Sequence, residues 1–256
     1  MFDTRIDPDA NRGVGVAFTN RLGGVSAGEL GTLNLGRTDL DEVESVRANM
    51  SRVTRELGVG TVLALNQVHG TQVLVADDDY LRDWRCDSWL GDAVAGQPRL
   101  AVADAVVTTA PGLMLAVRVA DCLPVVFADP RRRVIGAAHA GRVGLLAGVL
   151  NKTLAAMRRL GASDVEAWVG PHICGQCYEV PATMADQIGV SRQHARSVTS
   201  WGTPALDLGA ACEAELSELG VVVHRRDPCT VEDENLFSHR RQGDHSGRQC
   251  GLVWLN

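Results

Sequence analysis

Leu113-Met114-Leu115-Ala116-Val117-Arg118-Val119-Ala120-Asp121-Cys122-Leu123-Pro124-Val125-Val126-Phe127-Ala128-Asp129-Pro130 carries two apolar runs divided by Ala120-Asp121-Cys122. Each run has strand length and is rich in β-branched residues, which predicts strands over residues 113–119 and 123–128. The Asp129-Pro130 turn and Arg131-Arg132-Arg133 lead into a third strand over 134–138, and Ala110-Pro111-Gly112 separates the first from a strand over 105–109. Further out, strands are predicted over 61–65, 72–76, 165–169 and 250–255. The short connections favour antiparallel pairing. Between them, Val43, Val46, Met50, Val53 and Leu57 recur at helical spacing after Asp41, a candidate cap, and stop at Gly58. Residues 141–160 read as one long helix closed by Gly161, and 208–219 as another. The expected class is mixed α/β, with a largely antiparallel sheet and flanking helices.

With 256 residues, 45% of them hydrophobic and 22% charged, the chain can bury a large core. No repeat, linker or composition break divides it, so a single domain over 1–256 is expected. The net charge of -6 supplies no field for a phosphate backbone, and the arginine run reads as a solvated hairpin turn; nucleic acid is not an expected partner. The first 30 residues contain no apolar leader and no 18-residue apolar run follows, so a soluble, cytoplasmic protein that does not engage membranes is expected. Seven cysteines (86, 122, 174, 177, 212, 229 and 250) without an export signal read as reduced thiols. No heptad argues for a particular assembly, which leaves a monomer or a homodimer.

Three segments carry chemistry: Asn66-Gln67-Val68-His69-Gly70, Asp121-Cys122 and His139-Ala140-Gly141. Two imidazoles and a thiolate beside strand ends make a three-ligand set, and zinc held by three protein groups keeps a fourth position open for reaction. Copper is a possible substitute on affinity grounds. A full multicopper oxidase site is excluded, because the chain has seven histidines and no His-x-His pair. Cysteine is also a common small core residue, but Asp121 beside Cys122 argues against that reading. A carboxylate next to a buried strand orients a histidine, contacts a hydroxyl or caps a turn. Cys174-x-x-Cys177 lacks a second such pair and reads as structural rather than as half a zinc ribbon or a redox centre. The alternation in Phe237-Ser238-His239-Arg240-Arg241 fits a strand.

The segments Phe18-Thr19-Asn20-Arg21-Leu22-Gly23-Gly24-Val25-Ser26, Asn34-Leu35-Gly36, Gln67-Val68-His69-Gly70, Asp104-Ala105-Val106-Val107-Thr108, Ala120-Asp121-Cys122-Leu123-Pro124, His139-Ala140-Gly141, Gly170-Pro171, Cys177-Tyr178-Glu179-Val180 and Ser246-Gly247-Arg248 follow one another in this order. Together they resemble the laccase-like, or multicopper polyphenol oxidoreductase, family, which is also described as a purine nucleoside phosphorylase family. Some bacterial members are described as peptidoglycan editing factors. The resemblance implies an α/β fold similar to that of the cytotoxic-necrotizing-factor deamidases, with one zinc on His69, Cys122 and His139. It implies phosphorolysis of adenosine, inosine and methylthioadenosine, together with adenosine deamination. On that reading Asp121 is the candidate proton donor, and Arg21, Ser26, Asn34, Arg142 and His172 are candidate contacts to nucleoside and phosphate. The anion-binding start of the helix after Gly141 would assist.

Two rival readings use the same residues. In one, Cys122 is a thiolate nucleophile and His139 its base, hydrolysing an amide of a cell-wall precursor. In the other, the chain is a non-catalytic metal-binding protein. One departure bears on substrate: the family commonly has His-Ala-Gly-Trp-Arg-Gly where this chain has His139-Ala140-Gly141-Arg142-Val143-Gly144. On a helix, moving the arginine one position turns its side chain by about 100°.

Overall fold

Strand alternation sorts the apolar runs between two stacked sheets. In the computed structural model, which describes residues 1–36, 39–82, 84, 88–97 and 99–256, the chain forms β1 (Phe2–Ile6), β2 (Val14–Thr19), α1 (Val43–Leu57), β3 (Thr61–Ala64), β4 (Val73–Val75) and α2 (Asp78–Leu81). There follow β5 (Ala105–Thr108), β6 (Leu113–Val119), β7 (Leu123–Asp129), β8 (Val134–Ala140), α3 (Arg142–Leu146), α4 (Val149–Arg159) and β9 (Glu166–Val169). The remainder comprises α5 (Ala182–Ser191), β10 (Arg196–Val198), β11 (Pro204–Leu206), α6 (Leu208–Glu218), β12 (Val222–Arg225), α7 (His239–Gln242) and β13 (Gln249–Leu255).

The first sheet has the order β1-β2-β13-β6-β3 and the second β12-β9-β7-β8-β5-β4; β10 and β11 pair alone. Pairing is mostly antiparallel, with parallel exceptions at β3/β6, β4/β5 and β9/β12. Leu113, Leu115 and Val117 of β6 face Val126 and Ala128 of β7 and Ile135 and Ala137 of β8 across the gap between the sheets. Met114 and Ala116 point the other way, against Val46, Met50, Val53 and Leu57 of α1. Leu123, Val125 and Phe127 of β7 likewise face α4 and α6. The strands are unbroken apolar runs because both faces are covered, and each fully buried Leu, Val or Phe side chain contributes about 1.5–3 kcal/mol. The result is the mixed, mostly antiparallel α/β class the sequence led us to expect, built as a sandwich of two sheets where one was expected, with helices on both outer faces.

Four local expectations need correction. The runs 113–119 and 123–128 do not pair; β6 and β7 lie in different sheets, and Ala120-Asp121-Cys122 is the crossing between them. The helix predicted over 141–160 is two helices, α3 and α4, broken where Gly148 adopts φ 89°. Asp41 does not cap α1, whose N-cap is Glu42; the Asp41 carboxylate accepts instead from Ser26 Oγ and Asn34 Nδ2. The stretch around His239 is the helical turn α7, with Ser238 Oγ accepting from the Arg241 N–H, and not a strand. Beyond β9 the second sheet ends in β12, against which α6 packs, while α5 packs on the β10–β11 pair. Among the described residues no helix is long and apolar enough to cross a membrane, and Cys86 lies outside them.

Candidate active site

Register brings the site together. Leu123 pairs with Ala140 and Pro124 with His139, so Cys122, just ahead of β7, lies beside the end of β8. His69 comes from the connection between β3 and β4, where it holds φ 60°, while Asp121 holds φ 90° in the crossing between the sheets. Such left-handed conformations are costly for residues other than glycine and persist only where surrounding bonds enforce them. For His69 those bonds come from Asp104, whose carboxylate accepts the backbone N–H groups of Val68, His69 and Gly70 at 3.2, 2.9 and 2.6 Å. For Asp121 they come through its own carboxylate, which accepts from Thr230 Oγ1 and from the Arg240 N–H, each at 2.6 Å.

The donor atoms of His69, Cys122 and His139 all lie within 4.8 Å of one another. Cys122 Sγ is 3.9 Å from His69 Nε2, and the two imidazoles meet edge to face with centroids 4.8 Å apart. His139 Nδ1 is 2.8 Å from Asp104 Oδ1. An ionised carboxylate only accepts, so the Nδ1–H donates to it and Nε2 is left to face Cys122, donating to the thiolate when the ring is charged. Gly141 makes the space: a Cβ there would stand 2.8 Å from His69 Cδ2 and 3.0 Å from Cys122 Sγ.

The charges of the site are mutually dependent. Burial opposes ionisation of Cys122, yet hydrogen bonds and charge from His139 and His69 bring its pKa down to about 6. Burial likewise opposes a charged His139, and Asp104 together with Cys122 raises it to about 9. Asp104 is itself buried, but the His139 and backbone N–H groups hold its carboxyl below the usual range. Asp104 is the site residue the sequence reading missed. The signal was present: a carboxylate directly ahead of the apolar strand over 105–109 needs partners as much as Asp121 does.

The set opens into a cleft of about 850 Å³. His69, Cys122, His139, Asp121 and Arg142 line it, as do Gln67, Arg118, Tyr178, His239, Arg240 and Arg248. The side chain of Arg142, the first residue of α3, makes no hydrogen bond or ion pair with the described residues. Asn34 stands one layer back, its Oδ1 accepting from the N–H groups of Gly36 and Arg248, both of which line the cleft.

The structure does not bring Arg21, Ser26 or His172 to the cleft. Arg21 donates to the Glu29 carbonyl and covers the Phe237 ring. Ser26 is buried between Asp41 and Asn49. His172 is buried with its Nδ1–H on the Gly170 carbonyl, 2.9 Å away. Asp121 reaches the cleft, but its carboxylate fastens the loops carrying Thr230 and Arg240. With α3 only five residues long, the anion-binding helix start expected after Gly141 reduces to Arg142 itself.

The residues fit a metal. Two imidazoles, one with its tautomer fixed by a carboxylate, and a thiol already biased toward thiolate converge on one point, and their open side is the cleft. Comparison with known proteins identifies relatives along nearly the whole chain. The purine nucleoside phosphorylase ORF3 of Streptomyces griseus is 45% identical over 245 residues, covering 94% of each chain. The purine nucleoside phosphorylase SCO2081 of Streptomyces coelicolor is 43% identical, covering 97% of this chain and 98% of its own. Among solved structures, Neisseria meningitidis protein NMB0706 superposes with a TM-score of 0.80 at 35% identity, covering 100% of this chain and 99% of its own. YlmD from Geobacillus stearothermophilus superposes with a TM-score of 0.81 at 27% identity, covering 98% and 96%. The model of the multi-copper polyphenol oxidoreductase laccase family matches residues 15–256, and the chain belongs to that family.

Proposed function

We propose that this protein is a zinc-dependent purine nucleoside phosphorylase that also deaminates adenosine at the same site. The observation that carries the reading is the placement of His69, Cys122 and His139 at the floor of an arginine-lined cleft, beside the unpartnered guanidinium of Arg142. The names of the Streptomyces relatives point the same way. A volume of about 850 Å³ accommodates a nucleoside with phosphate. Arg118, Arg142 and Arg240 supply positive charge for phosphate, and Arg142 is free to form a charge-assisted bond with it. Asp104 fixes the His139 tautomer and the His69 turn, so the donor atoms are oriented before substrate arrives. A zinc ion on the three donors supplies Lewis acidity facing the cleft. Copper could occupy the same donors. A laccase reaction is not part of this reading, since it needs several copper sites.

The alternative reading rests on the line Asp104–His139–Cys122, which has the order of a nucleophile, its base and an orienting carboxylate. In that reading Cys122 attacks an amide of a cell-wall precursor. The experiment is phosphate-dependent release of adenine from adenosine, followed through chelation and the return of stoichiometric zinc. Activity that falls and returns with zinc supports the phosphorylase. Amide hydrolysis that chelation enhances, without phosphorolysis, overturns it in favour of the hydrolase. No turnover of either substrate leaves a metal-binding protein without catalysis.

A further inference from the structure

Outside the cleft wall, two short turns face each other. Cys174-Gly175-Gln176-Cys177 closes with the N–H groups of Cys177 and Tyr178 on the Cys174 carbonyl. Cys229-Thr230-Val231-Glu232 closes with the Asp233 N–H on the Cys229 carbonyl. The turns are joined by a bridge between His172 and Cys229 and by the Thr230 N–H on the His172 carbonyl. Each presents two side chains three positions apart. Their four ligand atoms, three sulfurs and a carboxylate oxygen, lie within 4.8 Å of one another.

We propose that Cys174, Cys177, Cys229 and Glu232 form a second, closed zinc site that braces one wall of the cleft. Four ligands on two turns is the arrangement of a structural zinc, with Zn–S distances of about 2.3 Å that set tetrahedral sulfurs about 3.8 Å apart. The Cys174 N–H points at Cys229 Sγ, 3.4 Å away, as backbone amides do toward metal thiolates, and Cys177 Sγ lies 3.5 Å from Glu232 Oε1. Gly175 lets the first turn sit tight: a Cβ there would stand 2.7 Å from Asp207 Cβ and 2.8 Å from Ser197 Oγ. Arg241 donates to the carbonyls of Thr230, Val231 and Asp233, putting a positive charge against the turn that carries Glu232. Packing gathers the three cysteines, since Cys177 and Cys229 are buried with Ile173 against Tyr178 and Val231, but it gives no reason for the Glu232 carboxylate to stand against a thiol. Cys212 and Cys250 are each buried in a core cluster, and among the described residues neither belongs to a group of ligand atoms close enough to share an ion.

Binding would displace the three thiol protons to solvent and form three Zn–S bonds and one Zn–O bond. The site lies one residue from groups that shape the cleft. Thr230, next to Cys229, donates to Asp121 beside Cys122; Ile173 and Tyr178, next to Cys174 and Cys177, line the cleft. The inference does not depend on the reaction proposed above.

The test uses the full-length His69→Ala/Cys122→Ser protein, expressed with added zinc, so that the first site is silent. One zinc per chain, with an X-ray absorption shell of three sulfurs at about 2.3 Å, is the expected result. Cys229→Ser in the wild-type background should then lose one equivalent of zinc and melt at a lower temperature, whereas Cys212→Ser should keep its zinc. Absence of zinc from the double variant, a shell without several sulfurs, or an intact mass short by two hydrogens, which indicates a disulfide, would overturn the proposal. If either variant fails to fold, zinc content and the absorption shell of wild-type protein decide. Two equivalents with a sulfur-rich average support the site, and one equivalent with a nitrogen-rich shell excludes it.

Discussion

The carboxylate of Asp104 accepts the Nδ1–H of His139 at 2.8 Å while the same two oxygens take the backbone N–H groups of Val68, His69 and Gly70. One buried side chain thus fixes a ring tautomer on β8 and the left-handed turn that presents His69. Asp104→Asn keeps the volume but removes the charge and offers an N–H where an acceptor is needed. Metal affinity should fall by about 10–100-fold, and activity with it. Competition with a chromogenic chelator measures the first and adenine release the second; unchanged affinity would show that the carboxylate is only structural.

Gly141→Ala tests the crowding of the donors. The backbone at Gly141 has φ -71° and tolerates alanine, so the effect is purely the Cβ against His69 and Cys122. The variant should melt close to wild type and hold its metal about tenfold more weakly, a difference of about 1.4 kcal/mol. Calorimetric melting and the same chelator competition separate the two effects.

Arg142→Ala should raise the KM for phosphate by about tenfold or more with metal content unchanged, because a hydrogen bond to a charged group is worth about 1.5–3 kcal/mol. Initial rates at varied phosphate and fixed adenosine measure it. A rise in the KM for adenosine alone would assign Arg142 to the nucleoside instead.

The pH behaviour of metal-stripped protein follows from the coupled pair. Cys122 in the folded chain ionises near 6, so its alkylation by iodoacetamide should rise with a midpoint at about 6 rather than in the usual thiol range. Its folded value is depressed, so the stability it contributes is present at high pH and lost as pH falls through about 6. The His139 value is raised, so its contribution is full below 6.5 and lost as pH rises through about 9. Melting temperatures of chelated wild type and Cys122→Ser, compared from pH 5 to pH 10, should converge at the acid end.

Cys122→Ala distinguishes the two chemistries. Loss of phosphorolysis together with one equivalent of zinc relative to wild type is expected when Cys122 is a ligand. A zinc content equal to that of wild type with activity abolished would favour the nucleophile, and elemental analysis of the two preparations side by side settles which.

Local pattern disclosed strands β3 to β9 and β13 and the three donor-bearing segments, because each donor lies next to an apolar run whose composition is visible along the chain; β1, β10, β11 and β12, short and partly exposed, carry no such run. Pattern did not reveal pairing. The runs on either side of Asp121-Cys122 are equally apolar whether they form a hairpin or part into two sheets, since both faces of each are covered. Asp104 and Asp121 exchanged roles for a related reason: a carboxylate beside a strand must find partners, but its partners here are tens of residues away. Arg21, Ser26 and His172 look like binding residues in sequence, yet their polar atoms are used inside the fold. The Cys174 turn gained meaning only when Cys229 and Glu232 arrived opposite it.

The placement of β13 has a consequence for how the chain matures. It is seated between β2 and β6, hydrogen-bonded to both, so the first sheet lacks its central strand until residues 249–255 have left the ribosome. Contacts across such sequence separations are slow to form. The crossing that carries Cys122 hangs from β6, the strand left with a bare edge in the meantime. Metal capture should therefore wait until residues 249–255 have been made, and a nascent chain stalled before Gln249 should present that edge to chaperones.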